Sequence, residues 1–437
     1  MIFEAQLFDT ATSLRGGKLD VPSYISTVCD RVDAFDSQLQ ALLPEADRRV
    51  RLMREASALK ARFPDPESRP PLYGVPVGVK DIFRVEGFLT RAGSRLPPEL
   101  FAGPEAACVS KLRAAGALIL GKTVSTEFAY REPGPTRNPY NLNHTPGGSS
   151  SGSAAAVAVG FCPLALGTQT VGSVIRPAAY CGIVGFKPSY GRIQTAGLIF
   201  FSESVDHVGL FTQDVAGMGL AASILCSDWT QLTEDPRSPV LGVPEGPYLK
   251  QASQEGLEAF EKQLTQLEGE GYSVRRVRAL DDLTQISHHH RKMIAAEMAQ
   301  VHAEWFLRHE TLYRNETAAL IREGKEVSAE ELAEGRASRA RVRNELERLM
   351  KKSGIDLWVS PSATGPAPEG LGSTGDPAMN MPWTHAGMPT ITLPAGLAAN
   401  GLPLGLQMVA PYKKDERLLE WAEALAKILD AQMWRNE

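Results

Sequence analysis

An α/β fold, a central β-sheet with helices on its faces, is what this sequence predicts, and three observations carry the prediction. Between Leu72 and Thr212 short β-branched or aliphatic runs alternate with helical patterns. Gly and small residues dominate that same stretch. Strand character returns late in the chain, at Asp356–Ser360 and Thr390–Pro394. The 437 residues are 43% hydrophobic and 22% charged, an ordinary globular balance that permits a large buried core.

In chain order, residues 1–62 are charged and helical, with Val28, Val32 and Leu39 at helical spacing. The proline-rich stretch Phe63–Pro71 ends that pattern. A core of residues 72–213 follows, with strands expected at Val75–Val79, Ala117–Leu120 and Leu164–Gly167. Val240–Val243 reads as a further strand, and Gln254–Glu268 as an amphipathic helix. Residues 245–352 form a charged helical segment, in which 290–352 are expected to be long surface helices. Residues 356–437 return to the sheet and close with a helix over Asp415–Leu429. No internal repeat or low-complexity linker divides the chain, so one intertwined domain over 1–437 is the expectation.

Charge and cysteine usage narrow the class. With 46 basic and 51 acidic side chains the net charge is −5, which gives no reason to expect nucleic acid or an anionic membrane as partner. Cys29, Cys108, Cys162, Cys181 and Cys226 are odd in number and widely spaced, and read as free thiols of a reducing compartment. The first ten residues carry Glu4 and Asp9 and lack a secretory pattern. Ala154–Leu166 is interrupted by Gly160 and Pro163 and is too short to span a bilayer. A soluble, cytoplasmic protein is expected.

Three segments carry candidate chemistry. Tyr73–Ile82 (YGVPVGVKDI) is an apolar strand ending in Lys80 and Asp81. At Pro146 (PGGSSSGSAAAVAVG) a Gly-Ser turn runs into an Ala-rich helix. At Leu166 (LGTQTVGSVIRPAAYCGIVGFKPS) a strand breaks into a Gly-containing turn and then a short helix. Serines at such turns sit beside unpaired backbone N–H groups, the arrangement an oxyanion hole needs. A serine nucleophile also needs a base. None of the eight histidines has a triad-like context: His288, His289 and His290 read as a solvated surface run, and His144 and His207 show no motif. Lys80, at the end of an apolar strand, is the remaining base, since burial lowers a lysine's pKa.

These segments resemble the amidase signature family of Ser–cisSer–Lys hydrolases. Ser149 and Ser173 lie 24 positions apart, the separation that family uses between its bridging serine and its nucleophile. Weaker resemblance continues at Asp206 (DHVG), Asp356 (DLWVSP), Gly387 (GMPTITLPAG) and Gly401 (GLPLGLQMV). The resemblance implies a central twisted mixed β-sheet flanked by helices on both faces. It assigns Lys80 as base, Ser149 as cis-peptide serine and Ser173 as nucleophile. The oxyanion hole falls on the backbone N–H groups of Thr170, Val171, Gly172 and Ser173. It further implies a cis Gly148–Ser149 bond and hydrolysis of a small carboxylic amide through an acyl-enzyme, without metal or cofactor. Two departures stand out. The family's Asp-Thr-Gly-Gly-Ser is here Gln169–Ser173 (QTVGS), and Arg176 follows the nucleophile by three positions instead of two, as in the malonamidase-type branch. Arg176 is therefore a candidate clamp for a substrate carboxylate, or else a structural arginine.

Two short patterns are decoys. Gly116–Thr123 (GALILGKT) matches the phosphate-loop pattern, but Ala117–Leu120 themselves read as strand. Ser57–Lys60 (SALK) lacks the companion motifs of penicillin-recognising enzymes. The main motif has bland readings as well: a helix cap at Gly147–Ser153, and a salt bridge from Lys80 to Asp81 or another carboxylate. An ammonia-generating amidotransferase A-type subunit is the rival reading, separable by copurification of partner chains. A non-catalytic binding protein with the same fold is another, separable by a fluorophosphonate probe. The expected partner is a small-molecule amide, and a homodimer is left open.

Overall fold

The strands of the computed structural model, which describes residues 2–232 and 237–433, join into one mixed sheet. In chain order they are β1 (Pro76–Lys80), β2 (Leu118–Thr123), β3 (Leu164–Gln169), β4 (Val184–Lys187), β5 (His207–Thr212), β6 (Leu241–Glu245), β7 (Val274–Arg278), β8 (Leu357–Pro361), β9 (Thr390–Leu397) and β10 (Pro403–Val409). Across the sheet the order is β2-β1-β3-β5-β4-β9-β10-β8-β6-β7. β1 runs parallel to β2 and β3, the pairs from β3 to β8 are antiparallel, and β6 runs parallel to β8 and β7. Every residue of β1, β2, β3, β4, β5 and β10 is buried. Strands covered on both faces need no polar alternation, so they read as continuous apolar runs in the sequence.

The helices are α1 (Leu7–Arg15), α2 (Val21–Leu39), α3 (Arg48–Arg62), α4 (Ala107–Ala114), α5 (Ser151–Ala158), α6 (Ile175–Tyr180) and α7 (Val215–Leu225). They continue with α8 (Gln254–Gly269), α9 (Leu283–Val301), α10 (Ala303–His309), α11 (Asn315–Lys325), α12 (Ala329–Ser353), α13 (Met381–Ala386) and α14 (Asp415–Met433). Local sequence explains their ends. Asp20 accepts the Ser23 N–H before α2, and Val21, Ile25, Val28 and Val32 bury one stripe of that helix. Ser328 and Glu331 form a capping box at the start of α12, and Gly354 ends it in the left-handed conformation. None of the helices, among the described residues, is long and apolar enough to cross a membrane.

The α/β architecture expected from the alternation holds, with three local differences. β7 lies inside the segment expected to be wholly helical. Its sequence VRRVR is an edge strand whose arginines are exposed, and charge on an open edge blocks further pairing. The histidine run is not solvated: His288 is exposed, but His289 and His290 are buried on the inner side of α9. The bland salt bridge from Lys80 to Asp81 is also absent, because Asp81 pairs with Lys122 at 2.7 Å.

That pair explains the phosphate-loop decoy. Lys122 sits in β2 and also donates to the Phe83 carbonyl at 2.9 Å and to Thr90 Oγ1 at 3.2 Å. Asp81 also accepts the Arg91 N–H. Burial raises the pKa of Asp81 and lowers that of Lys122, and their mutual attraction opposes both shifts. Removing one partner strands a buried charge. Lys122→Met is therefore expected to lower stability by about 3–5 kcal/mol, seen as a lower urea midpoint. An unchanged midpoint would mean the pair is dispensable.

Candidate active site

Lys80 is the last residue of β1 and is fully buried. Its Nζ meets three hydroxyls and no carboxylate: Ser149 Oγ at 2.6 Å, Thr168 Oγ1 at 2.8 Å and Ser150 Oγ at 3.0 Å. Parallel pairing of β1 with β3 brings Lys80 beside Thr168. The Ser149–Ser150 pair arrives from the turn that starts α5. Burial takes the Lys80 pKa well below its ordinary 10.5, with the charge of Asp206 opposing the shift.

The turn before Ser149 is made by Gly147 and Gly148, at φ +83° and +51°. A Cβ on Gly147 would lie 2.5 Å from the Tyr180 ring, and one on Gly148 would lie 2.7 Å from the Pro177 ring. Both glycines thus serve left-handed backbone and the close approach of α6. The cis Gly148–Ser149 bond implied by the resemblance is not present. The peptide bonds of the described residues are trans, and the two left-handed glycines turn the chain onto Lys80 instead. The same Gly148 Cβ would stand 3.1 Å from Ser173 Cα, so the two serine turns are in contact. No hydrogen bond joins Ser149 to Ser173 directly; hydrogen bonds of this kind often tighten only with substrate in place.

Ser173 follows β3 at the turn Thr170–Ser173. Gly172 is required there because a Cβ would lie 2.5 Å from Asn380 Oδ1. The N–H groups of Val171, Gly172 and Ser173 meet no acceptor among the described residues. They remain available to a developing negative charge. α6 has six residues, so these amides, and not a long helix dipole, are what the turn offers.

Two residues to which sequence reasoning gave no role brace this turn. Gln169 Oε1 accepts the Val174 and Ile175 N–H groups at 2.8 and 3.0 Å, and its Nε2 donates to Thr384 Oγ1 at 2.8 Å. Gln169 therefore caps α6 where the common motif has Asp. Asp206 accepts the Thr170 hydroxyl at 2.5 Å and the Phe201 and Ser202 N–H groups. Burial pushes Asp206 up to about 6 despite these bonds and Lys80. The departure at Gln169 and the DHVG motif were the available signals, but neither says which backbone group is held.

Ser173 opens on a cleft of about 790 Å3. Its lining includes Arg176, Met381 and residues 372–378. Residues 129–133, Phe201, Glu316 and residues of α9 line it as well. Arg176 is buried, and only its Nη2 has a partner, Thr374 Oγ1 at 3.4 Å. Nε and Nη1 have no hydrogen-bond partner among the described residues, and the Asp376 carboxylate acts on the guanidinium only electrostatically. The Thr374 carbonyl accepts the Gly148 N–H at 3.2 Å, linking the Arg176 wall to the serine turn. The predicted Lys80, Ser149, Ser173, Thr170–Ser173 amides and Arg176 are thus brought to one place. Among the described residues no cluster of three or more His, Cys, Asp or Glu could hold a metal ion.

A mixed sheet bearing a buried lysine among hydroxyls beneath two Gly-Ser turns defines an enzyme that acts on amide C–N bonds. Residues 23–419 match the Amidase family model, and the chain belongs to the amidase signature family. It is 29% identical, over 97% of both chains, to the A-type subunit of the glutamyl-tRNA(Gln) amidotransferase of Exiguobacterium sibiricum. A solved amidase structure superposes with a TM-score of 0.87 at 31% identity, covering 96% of this chain and 99% of the other. The peptide amidase of Stenotrophomonas maltophilia superposes at 0.83 with 25% identity, over 98% of each chain.

Proposed function

We propose that the protein hydrolyses a small carboxylic amide through an acyl-enzyme on Ser173. The observation that carries this is the lysine with no carboxylate in contact: Lys80 is wholly buried, and among the described residues its nitrogen hydrogen-bonds only to hydroxyls. A neutral amine has two N–H donors and one lone pair. Ser150 donates its hydroxyl to the Thr168 carbonyl, whereas Ser149 has no other protein acceptor among the described residues. Ser149 therefore donates to Lys80 Nζ and can accept from Ser173. Ser173 Oγ attacks the amide carbon as its proton passes through Ser149 to Lys80. The carbonyl oxygen takes negative charge against the amides of Thr170–Ser173. Collapse breaks the C–N bond, and the proton returns through Ser149 to the leaving nitrogen. Water then attacks the ester by the same relay, releasing carboxylate and free Ser173. The five cysteines are buried and unpaired, which supports a reducing, cytoplasmic setting.

Arg176 supports a finer reading, an amide that carries a carboxylate on its acyl side. Two unpartnered donors on a buried guanidinium make a fork suited to a carboxylate, and an anion there would offset the burial of the charge further than Asp376 does from a distance. The malonamidase-like run SVIR points the same way. Arg176→Ala is expected to lose about 2–5 kcal/mol in kcat/KM on malonamate, with a much smaller loss on a neutral amide. Equal losses on both would assign Arg176 a structural role.

The amidotransferase reading is the second, favoured by the full-length similarity to the Exiguobacterium protein. Size-exclusion chromatography of the natively purified protein separates the two. A monomer or homodimer that releases ammonia from malonamate supports the hydrolase, and obligatory partner chains support the amidotransferase.

A further inference from the structure

Outside the three motifs, unassigned chemistry sits in the histidine run. His290, on α9, is buried and lines the same cleft as Ser173. Its Nδ1 lies 3.1 Å from His385 Nδ1 on α13, and His385 Nε2 lies 2.6 Å from Ser338 Oγ on α12. The Ser338 hydroxyl also reaches the Gly335 carbonyl at 2.8 Å. His290 Nε2, by contrast, is buried with no hydrogen-bond partner among the described residues.

The direction of this chain follows from donor counting. A carbonyl only accepts, so Ser338 donates to Gly335 and accepts from His385 Nε2–H. His385 Nδ1 is then a lone pair and accepts from His290 Nδ1–H. That leaves His290 Nε2 as a bare lone pair. Burial and the charge of Arg339 hold His290 at about 4, and burial, His290 and Arg339 hold His385 at about 2, so both rings are neutral at pH 7. The Thr170 carbonyl also lies beside the His290 ring, where it favours a ring N–H and opposes the downward shift. In the competing arrangement Ser338 donates to His385 Nε2 instead of to Gly335, His385 Nδ1–H donates to His290 Nδ1, and His290 carries its proton on Nε2.

We propose that His290 Nε2 accepts a hydrogen bond from an N–H of the scissile carboxamide. The inference rests on the cleft being the substrate site. An acceptor for one N–H fixes the rotation of the leaving nitrogen and turns its developing lone pair toward Ser149, where its proton must arrive. His290 is then a substrate-contacting residue, and His385 and Ser338 are positioning residues that set its tautomer.

Two measurements test this. The first is 15N NMR of histidine-labelled protein without substrate, which is independent of activity. His290 should show an unprotonated Nε2 and a protonated Nδ1, and Ser338→Ala should move the proton toward Nε2. A protonated Nε2 in the unsubstituted protein would overturn the proposal and leave His290 bracing the Thr170 turn. The second compares malonamate with monomethyl malonate, in which a methoxy group replaces the amide nitrogen and no N–H remains. His290→Phe should lower kcat/KM for the amide about tenfold, the scale of one lost hydrogen bond, and leave the ester nearly unchanged. His290→Gln, which retains an acceptor oxygen, should recover part of the loss. Equal losses on amide and ester would overturn the proposal. Absence of any turnover of either substrate by the unsubstituted protein would instead count against the hydrolase reading, with the NMR result still deciding the tautomer.

Discussion

Ser173→Ala is expected to reduce amide hydrolysis by about 10⁴–10⁶-fold while leaving the protein folded, the range seen when a serine nucleophile is removed. The Ser173 hydroxyl makes no hydrogen bond to the described residues, so the substitution breaks nothing that holds the turn. Gln169 still caps α6, Asp206 still holds Thr170, and Gly172 keeps its close contact with Asn380. Stability should therefore shift by no more than about 0.5 kcal/mol. Steady-state ammonia release, measured beside a urea titration, checks both halves. A folded variant with near wild-type turnover would remove Ser173 from its role.

Lys80→Met should be nearly as damaging to turnover, because no other basic side chain contacts Ser149 among the described residues. The pH behaviour carries more information than the loss itself. Burial lowers the Lys80 pKa well below 10.5, so the wild-type rate should rise with pH to a plateau whose midpoint lies well under that value. Stability moves in the same direction. Between the folded-state pKa and 10.5 the unfolded chain holds a proton that the folded chain has released. Folding is therefore penalised in full below the folded-state pKa, and the penalty fades as pH approaches 10.5. Lys80→Met has no such term, so its stability relative to wild type should fall as pH rises across that window. Paired urea titrations over a pH series read the difference. A difference that stays level with pH would mean that Lys80 titrates normally.

Much of this site was legible because its chemistry is local in sequence. The strand before Lys80, the Gly-Gly before Ser149 and the turn before Ser173 each state their geometry within a few residues. What escaped depends on contacts between distant segments. The Lys122–Asp81 pair joins β2 to the end of β1, and nothing near Lys122 says that its partner is a buried carboxylate. His290 looked solvated because its neighbours are polar. It is buried because α13 and α12 close over it, and the bonded pairs that join them span 95 and 47 positions of chain. β7 was missed because an edge strand with three arginines lacks the apolar run by which the buried strands were found. The cis bond was an expectation carried by family resemblance alone, and the left-handed Gly147 and Gly148 do the turning in its place.

Activation of Ser173 as a nucleophile, by Lys80 through Ser149, is tested most directly by labelling. The protein is treated briefly with a fluorophosphonate probe, digested, and its peptides mapped by mass spectrometry. One adduct is expected, on Ser173, lost in Ser173→Ala and strongly slowed in Lys80→Met. An adduct on another serine, or labelling of Ser173 that proceeds at the same rate without Lys80, would contradict that activation.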